Sequence, residues 1–143
     1  MALAGYSGTP LLKKLGVKDG QSGLLIDVPD EVTELNEFSH WGRLKSPKTI
    51  RGCSGGPFDY IHFFTANEKT VLRAIPLLKN ELEQSGMIWI SWPKKSSGVL
   101  STVTEDTIRS TALKRGLVDI KVCAVNETWS GLKLVIPVKD RKK

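Results

Sequence analysis

The run Met87-Ile88-Trp89-Ile90-Ser91-Trp92 constrains the fold more than any other stretch of the chain. It is nearly all large and apolar, without the polar alternation of a half-exposed strand, so it suits a strand covered on both faces in an α/β sheet. Pro93 has no backbone donor, and pairing should stop there. Lys94-Lys95-Ser96-Ser97-Gly98 then sets two ammonium groups and two hydroxyls just beyond the carboxyl end of a central strand. Open α/β sheets bind ligands at that edge.

The rest of the chain supplies neighbours for this strand. Gly23 to Pro29 reads as a first strand, with Asp27 near its carboxyl end, and Phe58 to Phe64 as another. Thr65-Ala66-Asn67-Glu68 matches a capping box and predicts a helix from Ala66. That helix carries Val71, Leu72, Ile75, Leu78 and Leu82 at helical spacing, Pro76 as a kink, and Gly86 as its stop. A second box, Thr102 to Glu105, predicts a helix to Arg115 with Ile108, Ala112 and Leu113 facing inward. Leu117 to Val125 follows as a strand near an edge, and Glu127 to Gly131 is too short for anything but an antiparallel hairpin with Leu132 to Ile136.

Towards the amino terminus, Thr9, Pro10 and Gly16 bracket a short helix, and Asp30 to Phe38 reads as another. Residues 39–57 show little periodicity. Only Lys48-Thr49-Ile50 hints at an edge strand, and the stretch is either a binding loop or an unrecognised element.

At 143 residues the chain holds one core. The expectation is a single domain over 1–138 with a basic tail, 139–143: a mainly parallel, Rossmann-like sheet of five or six strands, ending in an antiparallel hairpin, with helices on both faces. No apolar run approaches the roughly 18 residues that span a bilayer. No basic segment precedes an apolar one at the amino terminus, so a cytoplasmic protein is expected. Cys53 and Cys123 lack partners at metal-ligand spacing and read as reduced thiols. Of the formal charge of +6, Lys139, Arg141, Lys142 and Lys143 with Asp140 supply +3, which reads as a solvated, frayed end. No aromatic-interleaved basic motif of an RNA-binding sheet is present, which keeps a nucleic-acid partner an alternative on charge alone.

Strand-helix-strand-helix-strand followed by a hairpin, over Phe58 to Ile136, resembles the carboxyl-terminal half of class I S-adenosylmethionine-dependent methyltransferases. The resemblance implies that the last strand inserts between its two predecessors. It also implies a glycine-rich turn after the first strand and an acidic residue after the second to hold the cofactor ribose. Here the first strand leads into Asp27-Val28-Pro29-Asp30, and the second-strand region is short and irregular. The residues therefore name no cofactor and speak against S-adenosylmethionine. Four further strings, Tyr6-Ser7-Gly8-Thr9-Pro10-Leu11, Ser91 to Ser96, Leu117 to Val122 and Glu127 to Lys133, are similar to a bacterial family of uncharacterised proteins, which implies no activity.

With parallel strands, Asp27, Trp92, Lys94, Lys95, Ser96, Glu127 and Trp129 should converge on the carboxyl edge. The lysines would hold an anion, the tryptophans would stack on a flat ring, and Glu127 would act as a base or pair with Lys133 or Lys94. Equally, Trp92 and Trp129 would pack on each other. No nucleophile elbow and no phosphate loop is present. His62 reads as a packing residue, with a Ser91-His62-Asp27 arrangement across neighbouring strands as the enzymatic alternative. The expected function is binding of a small anionic or nucleotide-like ligand without catalysis. The alternatives are an adaptor for protein or nucleic acid and a nonstandard methyltransferase-like enzyme.

Overall fold

The computed structural model describes residues 9–142, so Tyr6, Ser7 and Gly8 of the first motif and Lys143 of the tail lie outside the described residues. Its strands are β1 (Ser22–Ile26), β2 (Arg43–Lys45), β3 (Phe58–Phe64), β4 (Leu82–Pro93), β5 (Val118–Ala124) and β6 (Trp129–Val135). They form one six-stranded sheet in the order β2-β1-β3-β4-β6-β5. β2, β1, β3 and β4 are parallel, and β6 runs antiparallel between β4 and β5. The hairpin and its insertion are as the methyltransferase resemblance implies.

Helices cover both faces. α3 (Glu68–Asn80) and α4 (Glu105–Lys114) bury Val71, Ile75, Leu78, Ile108 and Ala112 against Leu24, Ile26, Ile61, Ile88 and Ile90. On the other face α1 (Pro10–Leu15) and α2 (Thr33–Glu37) bring Leu12, Leu15 and Leu35 against Leu25, Tyr60, Phe64 and Trp89. Trp89 is fully buried, and its indole N–H donates to the Leu15 carbonyl at 2.8 Å.

Several element boundaries differ from the sequence expectation. α3 starts at Glu68 because the Asn67 side chain accepts from the Lys69 and Thr70 amides, at 2.8 and 3.4 Å, and an asparagine is as good a cap as a threonine. The Thr65 hydroxyl accepts instead from the Asn67 amide, at 3.2 Å. The helix ends at Asn80, and Leu82 opens β4 in register with Phe58. Gly86 is thus no helix stop; a Cβ there would lie 2.9 Å from the Asp59 carbonyl, so glycine serves the close approach of β4 to β3. Pro76 sits inside one continuous helix.

α4 starts two residues later than a cap at Thr102 implies. Thr104 caps it through the Thr107 amide, at 3.2 Å, and the Thr102 hydroxyl accepts from the Glu68 amide, at 2.8 Å, tying the two helix starts together. Leu113 is exposed, because five residues from Ile108 it has turned to the far side of the helix. In β5 the pairing skips Ile120 between Asp119 and Lys121. This bulge breaks the alternation, leaving Ile120 and Val122 half exposed and Cys123 buried.

The irregular stretch contains both an unrecognised strand and a loop. The edge strand is Arg43–Lys45, not Lys48 to Ile50, and Ile50–Gly52 forms a 3-10 turn. Gly42 is required where the chain enters β2, since a Cβ would fall 2.4 Å from the Gly20 carbonyl. The basic tail is not a frayed end as far as Lys142: the Arg141 Nε–H donates to the Ile136 carbonyl, at 2.9 Å, and the Lys142 amide to the Gln84 side chain, at 2.8 Å. Among the described residues no helix is long and apolar enough to cross a membrane.

Asn67→Ala should lower the unfolding free energy by about 1 kcal/mol through loss of the α3 cap. Urea denaturation of the variant beside wild type checks this, and an unchanged midpoint would return the cap to Thr65.

Candidate functional site

The chain leaves β1 for β2 on one side, while β3 lies on the other, so the strand order reverses at β1. In open α/β sheets the crevice outside the carboxyl ends of such strands is the natural binding position. Asp27 follows β1 with a φ of 56°, a left-handed conformation that favours glycine, and its amide donates to the Pro47 carbonyl at 3.0 Å. That bond draws the loop after β2 over the end of β1.

Two hollows meet at Asp27 and Lys48. One, of ≈ 370 Å³, lies between the β1 and β2 ends against Pro29, Asn36 and Ser46. The other, of ≈ 310 Å³, lies between the β1 and β3 ends, with Arg51, Phe64, Thr65, Thr70 and Arg73 in its wall. Lys48, Arg51 and Arg73 are exposed, and among the described residues none has a carboxylate within 4.0 Å. Asp27 is exposed as a residue, yet partial desolvation of its carboxyl pushes its pKa up, with Lys48 pulling part of that back. Three cations thus face one weakly held carboxylate, an arrangement suited to an anion.

Of the residues that the sequence points to, only Asp27 reaches this crevice. Trp92 and Lys95 share a different hollow, of ≈ 620 Å³, with Val99, Leu100 and the start of α4. Ser96 is exposed on the 3-10 turn Lys95–Ser97. The Lys94 ammonium donates to the Asn126 carbonyl at 2.8 Å, stapling β4 to the hairpin turn. Glu127 is exposed and, among the described residues, pairs with neither Lys94 nor Lys133.

Trp92 and Trp129 do not pack together. Pro93 is opposite Trp129 and Trp92 opposite Ser130, and this one-residue offset sends the indoles to opposite faces of the sheet. Trp92 joins the α3/α4 core; Trp129 stands edge-on to Phe64 at 5.4 Å and donates to Glu31 at 3.1 Å. The seven residues therefore occupy separate places. Lys48, Arg51 and Arg73 were missed: two lie in the irregular stretch and the third on the outer face of a helix. Their signal was positional, in that any group after the second strand faces the switch point once that strand is seen to pair with the first.

A buried polar chain runs through the neighbouring strands. The Tyr60 hydroxyl meets His62 Nδ1 at 2.8 Å, and His62 Nε2 meets Ser91 Oγ at 2.7 Å, all three residues being fully buried. Tyr60, not Asp27, completes the arrangement, and no face of it is open to a substrate. Burial pushes His62 down to about 3 and Tyr60 well above its ordinary value, so both are neutral. The thiols are likewise quiet: burial and Glu81 push Cys53 up to about 11, and burial raises Cys123.

The His62 environment sets a pH window. Unfolded, this histidine takes up a proton below about 6.5; folded, it does so only near 3. Its contribution is fully present above the unfolded value and is lost as pH falls towards the folded one. Unfolding free energy should drop by about 2 kcal/mol between about pH 7 and about pH 5. His62→Gln should abolish most of that slope at a cost in overall stability. Denaturant titrations at a series of pH values check it, and a flat wild-type profile would contradict the buried neutral imidazole.

No protein-family model and no curated relative matches the sequence, so the resemblance to an uncharacterised bacterial family stands on its motif strings alone. Solved structures are similar in fold. A SAM-dependent methyltransferase from Aquifex aeolicus superposes with a TM-score of 0.61 at 15% identity, over 88% of this chain and 87% of that one. The N-methyltransferase NodS from Bradyrhizobium japonicum gives 0.62 at 13%, over 92% and 99%. Magnesium protoporphyrin IX methyltransferase from Synechocystis, solved with bound SAH, gives 0.54 at 11%, over 82% and 74%. The fold is that of these Rossmann-like enzymes. The cofactor residues do not follow: Asp27-Val28-Pro29 stands where the resemblance implies a glycine turn, and Ser46-Pro47-Lys48 stands where it implies an acid. The residues present do not fit S-adenosylmethionine.

Proposed function

We propose that this chain is a methyltransferase-fold domain whose switch-point crevice binds a small anionic or nucleotide-like ligand without catalysing methyl transfer. The observation that carries the reading is the uncompensated set Lys48, Arg51 and Arg73 around the hollow between the β1 and β3 ends. A phosphate or carboxylate there would gain charge-assisted hydrogen bonds, with the Thr65 and Thr70 hydroxyls adding neutral ones. The same three cations repel a sulfonium. Asp27 orients a ligand hydroxyl, as a single carboxylate at the floor of a basic crevice can.

Among the described residues the crevice holds no histidine or cysteine, and its Thr65 and Thr70 hydroxyls have no histidine beside them, which favours binding over chemistry. On this reading the described residues form a single domain that takes in the basic residues as far as Lys142, and it works in the cytoplasm with both thiols reduced.

Thermal unfolding with adenosine monophosphate, a sugar phosphate, a dicarboxylate and S-adenosylmethionine tests the reading. A ligand at about a hundred times its dissociation constant should stabilise the wild type by roughly 2.7 kcal/mol, raising the midpoint by several degrees. Lys48→Ala/Arg73→Ala should lose that shift while unfolding at its own unliganded midpoint much as wild type does. No shift with any anion, or a shift with S-adenosylmethionine that survives in the variant, would overturn it.

A further inference from the structure

The opposite, amino end of the sheet carries a second cationic centre. Lys18 follows α1, Lys121 lies on β5 and Lys133 on β6, while Lys13 and Lys14 occupy the last turn of α1. Lys121 and Lys133 are direct cross-strand partners. Like charges placed opposite each other destabilise a sheet, so the pair is a local cost to the fold.

One of the ammonium groups is anchored and another lies beside a hollow. Lys121 Nζ donates to the Lys14 carbonyl at 3.0 Å, at the carboxyl end of α1. Lys133 Nζ lies 3.9 Å from where a side chain at Gly16 would begin, at the edge of a hollow of ≈ 500 Å³ that Lys18 also lines. Lys133 is half-buried, and burial together with Lys121 and Lys18 holds its ammonium below the ordinary lysine range. Asp19 and Asp59 line the same hollow, yet among the described residues neither comes within 4.0 Å of a lysine. Asp59 instead accepts from the Ser22 amide at 2.9 Å.

We infer that Lys18, Lys121 and Lys133 form a phosphate-binding site at the amino end of the sheet, separate from the switch-point crevice. A phosphate suits it better than a carboxylate because it offers up to two charges and three acceptor oxygens to three ammonium groups. The phosphate belongs either to a small free phosphate compound or to the backbone of a single-stranded nucleic acid. The two sources share the chemistry and differ in salt dependence.

The test uses the full chain with two probes, inorganic pyrophosphate and a labelled oligonucleotide of about 12 nucleotides, within the site sizes of single-strand binders. The crevice variant is Lys48→Ala/Arg73→Ala, which takes the other crevice out of the readout, and the lysine variant adds Lys18→Gln/Lys133→Gln to it. Wild type and the crevice variant should bind at least one probe, by thermal shift or fluorescence anisotropy, and the lysine variant should bind it at least tenfold more weakly. Its unliganded midpoint should equal or exceed that of the crevice variant, since a like-charge pair has been removed; a purely structural role would lower it. Oligonucleotide binding whose log–log salt slope falls by about 1.4 from the crevice variant to the lysine variant, two phosphate contacts on a single strand, identifies a nucleic-acid backbone as the source. Binding of pyrophosphate alone identifies a small phosphate compound. Failure of both probes to bind wild type, binding by the lysine variant equal to that of the crevice variant, or loss already complete in the crevice variant overturns the inference.

Discussion

Everything in this fold is referred to β4, the longest strand, which joins the parallel part of the sheet to the antiparallel hairpin. Its register with β3 and β6 sets the sheet, and Trp89 at its middle joins the layers. The indole N–H on the Leu15 carbonyl satisfies the only polar atom of a large buried side chain, and it also anchors the end of a six-residue helix that could not hold itself. Gly131 is opposite Ser91, and a Cβ there would lie 2.9 Å from Ser91 Oγ and 3.0 Å from Trp89. The antiparallel strand can therefore pass only because it carries no side chain at that point.

The same packing decides what His62 can do. Its ring is stacked on Phe64 at 4.3 Å, and both nitrogens are engaged by Tyr60 and Ser91. A histidine, a serine and a tyrosine at such distances would be read as catalytic if they faced a cleft. Fully buried, they form a satisfied polar chain inside an apolar layer, which fixes the relative positions of β3 and β4.

The architecture was legible in the sequence because its signals are strong and local. Phe58 to Phe64 is a strand with the bounds its composition implies, and a short connection forces the hairpin, although β6 begins at Trp129, inside the expected connector Glu127 to Gly131, and ends at Val135. The failures are of two kinds. Where two capping residues compete, as Thr65 with Asn67 or Thr102 with Thr104, sequence spacing does not say which one tertiary contacts will take. Where a strand is only three residues long, as β2 is, no period exists to be seen, and its identity depends on pairing with a strand twenty residues away. The site suffered from the second failure. Without β2 the switch point has no location, and attention falls on the lysines beside the strongest strand, where Lys94 proves to be a hairpin staple.

The departure from the methyltransferase enzymes is concentrated at the end of the sheet where the chemistry would be. The fold is similar to theirs over most of the chain, and the order of its own strands creates the crevice. Yet the turn after β1 is closed by a left-handed Asp27 bound to Pro47, and the loop after β2 delivers Lys48 rather than an acid. These two changes act together. The bond from Asp27 to Pro47 brings the β2 loop over the strand end and so places Lys48 in the crevice, which leaves that end of the sheet lined by cations. The backbone that forms the crevice and the side chains that set its charge are therefore separable: strand order supplies the first, and the residues after β1 and β2 supply the second.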